Sequence, residues 1–152
     1  MQAAIKEARP EDHVLEVGCG SGLVSLELAR QVESLVALDI NPHAVRATRE
    51  RGVEVIRSDL FEGIRGKFDL IIFNPPYLPT KQAERSDQWI NYALDGGESG
   101  RETIGRFLLD LAEHLRPGGR ALLLISSLSG PEEVEMMAGD AGLITERVAS
   151  KG

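Results

Sequence analysis

Two rhythms of apolar residues alternate along the chain. Nearly unbroken apolar runs at 13–17, 35–40, 53–57, 68–73 and 121–125 have the length of strands buried on both faces. Between them the apolar positions fall at helical spacing. Residues 23–32 repeat through Leu23, Leu26, Leu28 and Ala29, with Ser21 placed to cap the first turn. Asn41-Pro42 opens a second helix, Asn41 as cap and Pro42 at the first helical position, and Gly52 closes it. A third stripe runs through Ile104, Phe107, Leu108, Leu111, Ala112 and Leu115, with Pro117-Gly118-Gly119 to end it. Residues 5–9 finish a short helix before Pro10, 131–138 form a further helix, and 143–149 begin a sixth strand. Strands alternating with helices through short loops predict right-handed βαβ units. The expected architecture is α/β: one doubly wound, mostly parallel sheet with helices on both faces, residues 1–152 forming a single domain.

Composition adds mainly exclusions. A chain of 152 residues, 42% hydrophobic and 27% charged, has the balance of a globular domain and buries roughly 70% of its unfolded surface. No apolar run approaches the ~18 residues of a membrane span and no leader opens the chain, so a cytoplasmic protein is expected. A net charge of −7 argues against non-specific nucleic-acid binding, and the basic segment 46–51 reads as a solvated helix face. Cys19 is the sole cysteine, and His13, His43 and His114 share no ligand spacing, so no metal site is expected.

The candidate chemistry sits where strands stop. The run 68–73 ends abruptly in Asn74-Pro75-Pro76-Tyr77. Two prolines lack the N–H a central strand needs, so an amide and a ring are held at the end of a buried strand, where open α/β sheets place ligands. The first strand ends in Gly18-Cys19-Gly20-Ser21-Gly22, a turn expected to point backbone N–H groups at a ligand. Asp39, 21 positions past Gly18, ends the second strand, where a carboxylate accepts ribose hydroxyls. Ser58-Asp59-Leu60 ends the third. The dinucleotide fingerprint would need a glycine where Leu23 stands. Instead the glycines alternate from Gly18 to Gly22 after Glu16.

That run, 16–22, resembles motif I of the class I S-adenosylmethionine-dependent methyltransferases, which have a Rossmann-like sheet. The resemblance implies S-adenosyl-L-methionine as cofactor, held by Glu16, Gly18, Gly20, Ser21, Gly22, Asp39, Asp59, Leu60 and Asn74, with Asp59 accepting from the adenine amino group. Asn74-Pro75-Pro76-Tyr77 resembles motif IV of the members that alkylate a planar nitrogen, either a base amine or a glutamine amide. It implies a catalytic set in which the Asn74 side-chain oxygen and the Pro75 carbonyl each accept one amide N–H. Pro76 stiffens the loop and Tyr77 stacks on the planar group. No strong base is needed.

With 94–100 (Leu-Asp-Gly-Gly-Glu-Ser-Gly) added, the chain is similar to the HemK/PrmC family, the protein-(glutamine-N5) methyltransferases that modify the Gly-Gly-Gln tip of peptide-chain release factors. Bacterial members carry a helical recognition domain ahead of the first strand, so a first strand at residue 13 resembles the short archaeal and eukaryotic branch. A segment that usually precedes the first helix, and half of a closing antiparallel strand pair, are not found. The branch commonly works with a small zinc-binding activator at the edge of the third strand, 53–57 here. A nucleic-acid adenine-N6 methyltransferase, a non-catalytic cofactor-binding module and, least favoured, an NAD-dependent oxidoreductase are the competing readings.

Overall fold

The computed structural model describes residues 2–76, 97 and 99–149. Tyr77, and the stretch 78–94, whose polar sequence without a clean period and with Trp89 and Tyr92 as its large side chains predicts a mobile cover over the site, lie outside the described residues. The chain divides into two compact units, Met1–Asn74 with Glu113–Leu123, and Pro75–Ala112 with Leu124–Gly152.

The first unit contains α1 (Gln2–Glu7), β1 (His13–Val17), α2 (Leu23–Ala29), β2 (Ser34–Asp39), α3 (Pro42–Glu50), β3 (Val55–Arg57), β4 (Phe68–Phe73) and β5 (Leu115–Leu123). All five strands are parallel, in the order β3-β2-β1-β4-β5. The chain therefore steps outward from β1 to β3 and then returns to pair β4 with the other side of β1. That reversal opens a crevice at the carboxyl ends of β1 and β4, the usual ligand position in such sheets. The glycine turn and Asn74 both begin there.

The apolar runs lack alternation because both faces of the central strands are covered. Val14, Leu35, Ala37, Val55, Leu70 and Ile72 form one cluster with Ala4 of α1, Leu28 of α2 and Val45 of α3. The alternate residues Leu15, Val17, Leu38 and Ile71 are exposed by 1% or less. Each such side chain contributes about 1.5–3 kcal/mol by leaving water.

The amino ends of the strands carry a polar lock. Arg120 of β5 donates to the Asp12 carboxylate at 2.7 Å and to the Glu7 carbonyl of α1. Asp69 of β4 accepts from the His13 N–H at 2.8 Å and from Arg116 at 2.9 Å. Burial pushes the Asp12 carboxyl up, but the Arg120 guanidinium and the Arg9 N–H outweigh it and hold the group below its ordinary value.

In the second unit, α4 (Glu102–Leu111) buries Ile104, Phe107, Leu108 and Leu111, the stripe read from the sequence. It packs on α5 (Pro131–Asp140) so closely that a Cβ on Gly105 would stand 2.9 Å from the Met137 methyl.

Four local expectations are corrected. The first residue of α2 is Leu23 and its cap is Gly22, in left-handed conformation; Ser21 does not cap it. The helical stripe ends at Leu111, and Leu115 already belongs to β5. Pro117-Gly118-Gly119 ends no helix: it sits within β5 as a bulge, where the pairing jumps from Phe68–Leu115 to Leu70–Arg120. A proline tolerates that place because a bulged residue owes no N–H to the ladder. A Cβ on Gly119 would fall 2.7 Å from the Arg116 carbonyl oxygen, so the bulge closes only around glycine. Finally, 143–149 forms no strand, and Ile144 is fully exposed.

Candidate active site

β1 delivers the chain into the glycine turn, where Gly18, Gly20 and Gly22 have φ of 71°, 54° and 77°. Only glycine adopts this conformation without steric cost, which explains the alternation. Their surroundings differ. A Cβ on Gly20 would meet nothing within 4 Å, so its backbone faces open space. On Gly18 it would lie 3.6 Å from the Phe73 ring and 4.0 Å from the Asn74 carbonyl oxygen, so this glycine borders the end of β4. On Gly22 it would stand 2.6 Å from Thr48 Oγ1 and 2.9 Å from Thr48 Cα, so this glycine serves packing against α3.

The turn's N–H groups are largely engaged within the chain, where the sequence reading expects them to face a ligand. Gly18 and Cys19 both donate to the Leu38 carbonyl (2.8 and 3.0 Å), and Gly22 donates to the Cys19 carbonyl (2.9 Å). Gly20 donates to Asp39 Oδ2 at 2.9 Å. A loop that grips phosphate leaves such donors to its ligand. This one is built for a ligand without a pyrophosphate.

Asp39 ends β2 beside that turn. Its Oδ1 accepts from the Asn41 N–H at 2.9 Å, and Asn41 Oδ1 in turn caps α3 by accepting from the His43 N–H at 2.9 Å. Each carboxylate oxygen retains acceptor capacity beyond its one backbone N–H, and the group is only half-buried. At the next strand end Ser58 is buried. Its N–H donates to the Asp39 carbonyl (3.0 Å), and its hydroxyl donates to the Leu60 carbonyl and accepts from the Gly63 N–H, both at 2.9 Å. This clamp holds Leu60 at φ 48°, the sole non-glycine with positive φ among the described residues, with Asp59 half-buried beside it. Strained backbone of this kind gathers at binding sites. β4 ends with Asn74 exposed, and Pro75 is buried immediately after it.

Glu16 lies behind the turn. It is buried in β1 and accepts a short hydrogen bond from the Ser25 hydroxyl of α2. Burial pushes its carboxyl up to about 7, the Ser25 hydroxyl opposing that and the Asp39 charge adding to it. Burial likewise raises the Cys19 thiol to about 11, so it is no thiolate nucleophile at neutral pH.

Glu16, Gly18, Gly20, Ser21, Gly22, Asp39, Asp59, Leu60 and Asn74 thus gather at the carboxyl ends of four adjacent strands. An open glycine backbone, a half-buried carboxylate with spare lone pairs and an exposed amide suit a ribosyl ligand with an uncharged or cationic tail. Sequence reasoning missed Thr48 and Ser25, and gave Ser58 a place in its motif but no role; all three hold the site from behind. One signal was available: Thr48 is the polar member of the buried α3 stripe Ala44, Val45, Thr48. Among the described residues no group of three or more metal-ligating side chains assembles, and no helix is long and apolar enough to cross a membrane.

Residues 2–146 match the family model of the methyltransferase small domain. A putative protein N5-glutamine methyltransferase of Methanocaldococcus jannaschii is 45% identical over 127 residues, 79% of this chain and 64% of that relative. Mouse methyltransferase HEMK2 is 36% identical over 88% of this chain and 69% of its own length. The release factor glutamine methyltransferase of Deinococcus radiodurans is 31% identical over 86% of this chain, which spans 52% of that relative. Among solved structures, a ribosomal protein L11 methylase from Lactobacillus delbrueckii subsp. bulgaricus superposes with TM-score 0.69 at 21% identity, over 92% of this chain and 65% of that one. That likeness establishes the Rossmann-like methyltransferase fold, and the sequence matches establish kinship: the chain belongs to the methyltransferase small domain family, in its HemK/PrmC branch.

Proposed function

We propose that the chain is an S-adenosyl-L-methionine-dependent N-methyltransferase, a single methyltransferase domain acting on the side-chain amide of a protein glutamine. The substrate is the Gly-Gly-Gln motif of a peptide-chain release factor. The observation that carries the reading is Asn74, exposed at the topological switch point where β4 borders Gly18 of the turn whose Gly20 faces open space, with Pro75-Pro76 next in the chain. Relatives named for glutamine methylation, at up to 45% identity, support it.

In this reading Asp39 receives the ribose hydroxyls of the cofactor, Asp59 and Leu60 receive its adenine, and the turn from Gly18 to Gly22 lies along its amino-acid end. Glu16 and Ser21 complete the binding set. The cofactor supplies an electrophilic methyl group. Asn74 Oδ1 and the Pro75 carbonyl each accept one N–H of the substrate amide. Two acceptors fix the nitrogen's orientation and stabilise positive charge developing on it, which an amide needs because its lone pair is delocalised. Pro75 and Pro76 restrict the backbone that carries these acceptors. Tyr77 supplies the ring that stacks on the amide plane.

A small zinc-binding activator at the β3 edge belongs to the same reading. Among the described residues β3 pairs only with β2, and Ile56 and Arg57 are exposed. A cavity of about 670 Å³ between α3 and β3 is lined by Pro42, Val45, Arg46, Arg49, Glu50 and Arg57, a basic surface on an acidic chain that favours an acidic partner. Translation termination places such an enzyme in the cytoplasm.

The test is mass spectrometry of a release factor after incubation with this protein and the cofactor, with and without an activator. One methyl on the Gly-Gly-Gln glutamine is expected, absent when that glutamine is alanine and reduced about 10²–10³-fold in Asn74→Ala enzyme. Methyl on adenine in a duplex-DNA control would assign the chain to nucleic acid instead. Cofactor binding with no product on any substrate would make it a binding module.

A further inference from the structure

The glycine turn has almost no side chains with which to fix itself, so its shape is imposed from outside. The C-terminal half of α3 imposes it. Thr48 is fully buried, and its hydroxyl donates to the Gly20 carbonyl at 3.4 Å while lying 3.3 Å from Cys19 Sγ. One hydroxyl serves both contacts if the Cys19 thiol donates to it, giving a relay from Cys19 S–H through Thr48 O–H to the Gly20 carbonyl. Three residues on, the Arg51 Nε–H donates to the Ser21 carbonyl at 2.8 Å. Two successive carbonyls are thereby drawn toward α3, and the Gly20 N–H is drawn toward Asp39. The absent Cβ of Gly22 lets the α3 backbone approach closely enough for this, since a Cβ there would lie 2.9 Å from Thr48 Cα.

We propose that Thr48 and Arg51 are positioning residues for the cofactor: they turn the Gly20 and Ser21 carbonyls away from the opening and so set affinity without touching the ligand. The inference rests on the reading of this turn as the S-adenosylmethionine site. A carbonyl released from α3 is free to rotate, and the loop then samples conformations that present a dipole of the wrong sign or narrow the opening. Affinity falls by the fraction of time spent there. Chemistry on bound cofactor is unaffected, because neither residue meets the reacting atoms.

Calorimetric titration of S-adenosylhomocysteine into wild type, Thr48→Val, Thr48→Ser and Arg51→Met tests this, with melting temperatures and turnover recorded alongside. Thr48→Val keeps the shape and loses the hydroxyl; it should weaken binding roughly fivefold to tenfold, the span of one net hydrogen bond. Thr48→Ser, which restores the hydroxyl, should bind within about twofold of wild type, and Arg51→Met should lose roughly twofold to threefold. In enzyme with measurable turnover, KM for the cofactor should rise in Thr48→Val while kcat at saturation stays. Wild-type binding with an unchanged Kd in both Thr48→Val and Arg51→Met overturns the proposal, whatever the melting temperatures do. A Thr48→Ser variant as weak as Thr48→Val also overturns it. Failure of wild type itself to bind would instead overturn the reading of the site, and this inference with it.

Discussion

Glu16→Gln offers the sharpest physical test of the buried architecture behind the glycine turn. Glu16 is 6% exposed, and burial raises its carboxyl from an ordinary 4.5 to about 7. The ionised form is therefore disfavoured in the folded chain by about 3 kcal/mol relative to the unfolded one. Between pH 4.5 and about 7 the folded state holds the proton that the unfolded state releases, so this group lowers stability as pH rises through that window. Below the window the contribution vanishes; above it the full penalty remains. A glutamine keeps the shape and the acceptor for Ser25 and cannot ionise. Urea unfolding of both proteins at half-unit steps from pH 5 to 8.5 should show Glu16→Gln close to wild type at pH 5 and more stable by about 3 kcal/mol at pH 8. That gain corresponds to roughly 6–12 °C in melting temperature for a chain of this size. Because every other titrating group is shared, the difference between the two proteins isolates Glu16. A difference constant across the range would refute the reasoning, since a packing effect has no reason to follow a proton.

Four further outcomes follow from the geometry. Gly22→Ala combines positive φ with a Cβ 2.6 Å from Thr48 Oγ1 and should cost roughly 3 kcal/mol or more by thermal unfolding. Gly20→Ala, with nothing within 4 Å, should cost only about 1 kcal/mol while weakening cofactor binding clearly, and equal stability losses in the two would contradict the assignment of their roles. Ser58→Ala removes the clamp on Leu60 and leaves the Gly63 N–H without its acceptor, an expected loss of about 1–3 kcal/mol in chemical denaturation. Arg120→Met strips a buried Asp12 of its charged partner, leaving it the Arg9 N–H, and should destabilise by about 3 kcal/mol at neutral pH. Wild type keeps the Asp12 contribution above the ordinary aspartate value and loses it as pH falls through the lowered one, so the difference between the two proteins should shrink in acid to the part owed to the Glu7 carbonyl, and a difference that does not change with pH would argue against the pair.

Residues governed by local rules were legible from the sequence. The runs 13–17 and 68–73 matched β1 and β4 residue for residue, because a strand covered on both faces admits no polar alternation. Asn41-Pro42 opened α3 as its cap chemistry requires. The failures came where tertiary contact overrode local preference. Pro117-Gly118-Gly119 reads as a helix stop in any window of the sequence, and only the register of β5 against β4 turns it into a bulge. Ser21 has cap chemistry, but the chain reaches α2 through a left-handed Gly22 dictated by Thr48, a residue 26 positions away. The candidate site was legible as a grouping of residues at the strand tips, where residue type suggests chemistry. Thr48, Ser58 and Ser25 act by holding other residues, and a hydroxyl that holds a backbone looks in sequence like any other hydroxyl.

The lock made by Arg120 has a consequence for how the molecule is made. Its partners Asp12 and Glu7 lie 108 and 113 residues earlier in the chain. Closing so long a loop is entropically expensive and kinetically late. On the ribosome β1 can pair with β2 and β4 as they emerge, but the Asp12 carboxylate and the Glu7 carbonyl must wait for their guanidinium until β5 has emerged. A nascent chain halted before residue 120 could therefore pair β1 on both sides and still lack the clasp that ties the residues before β1 to β5.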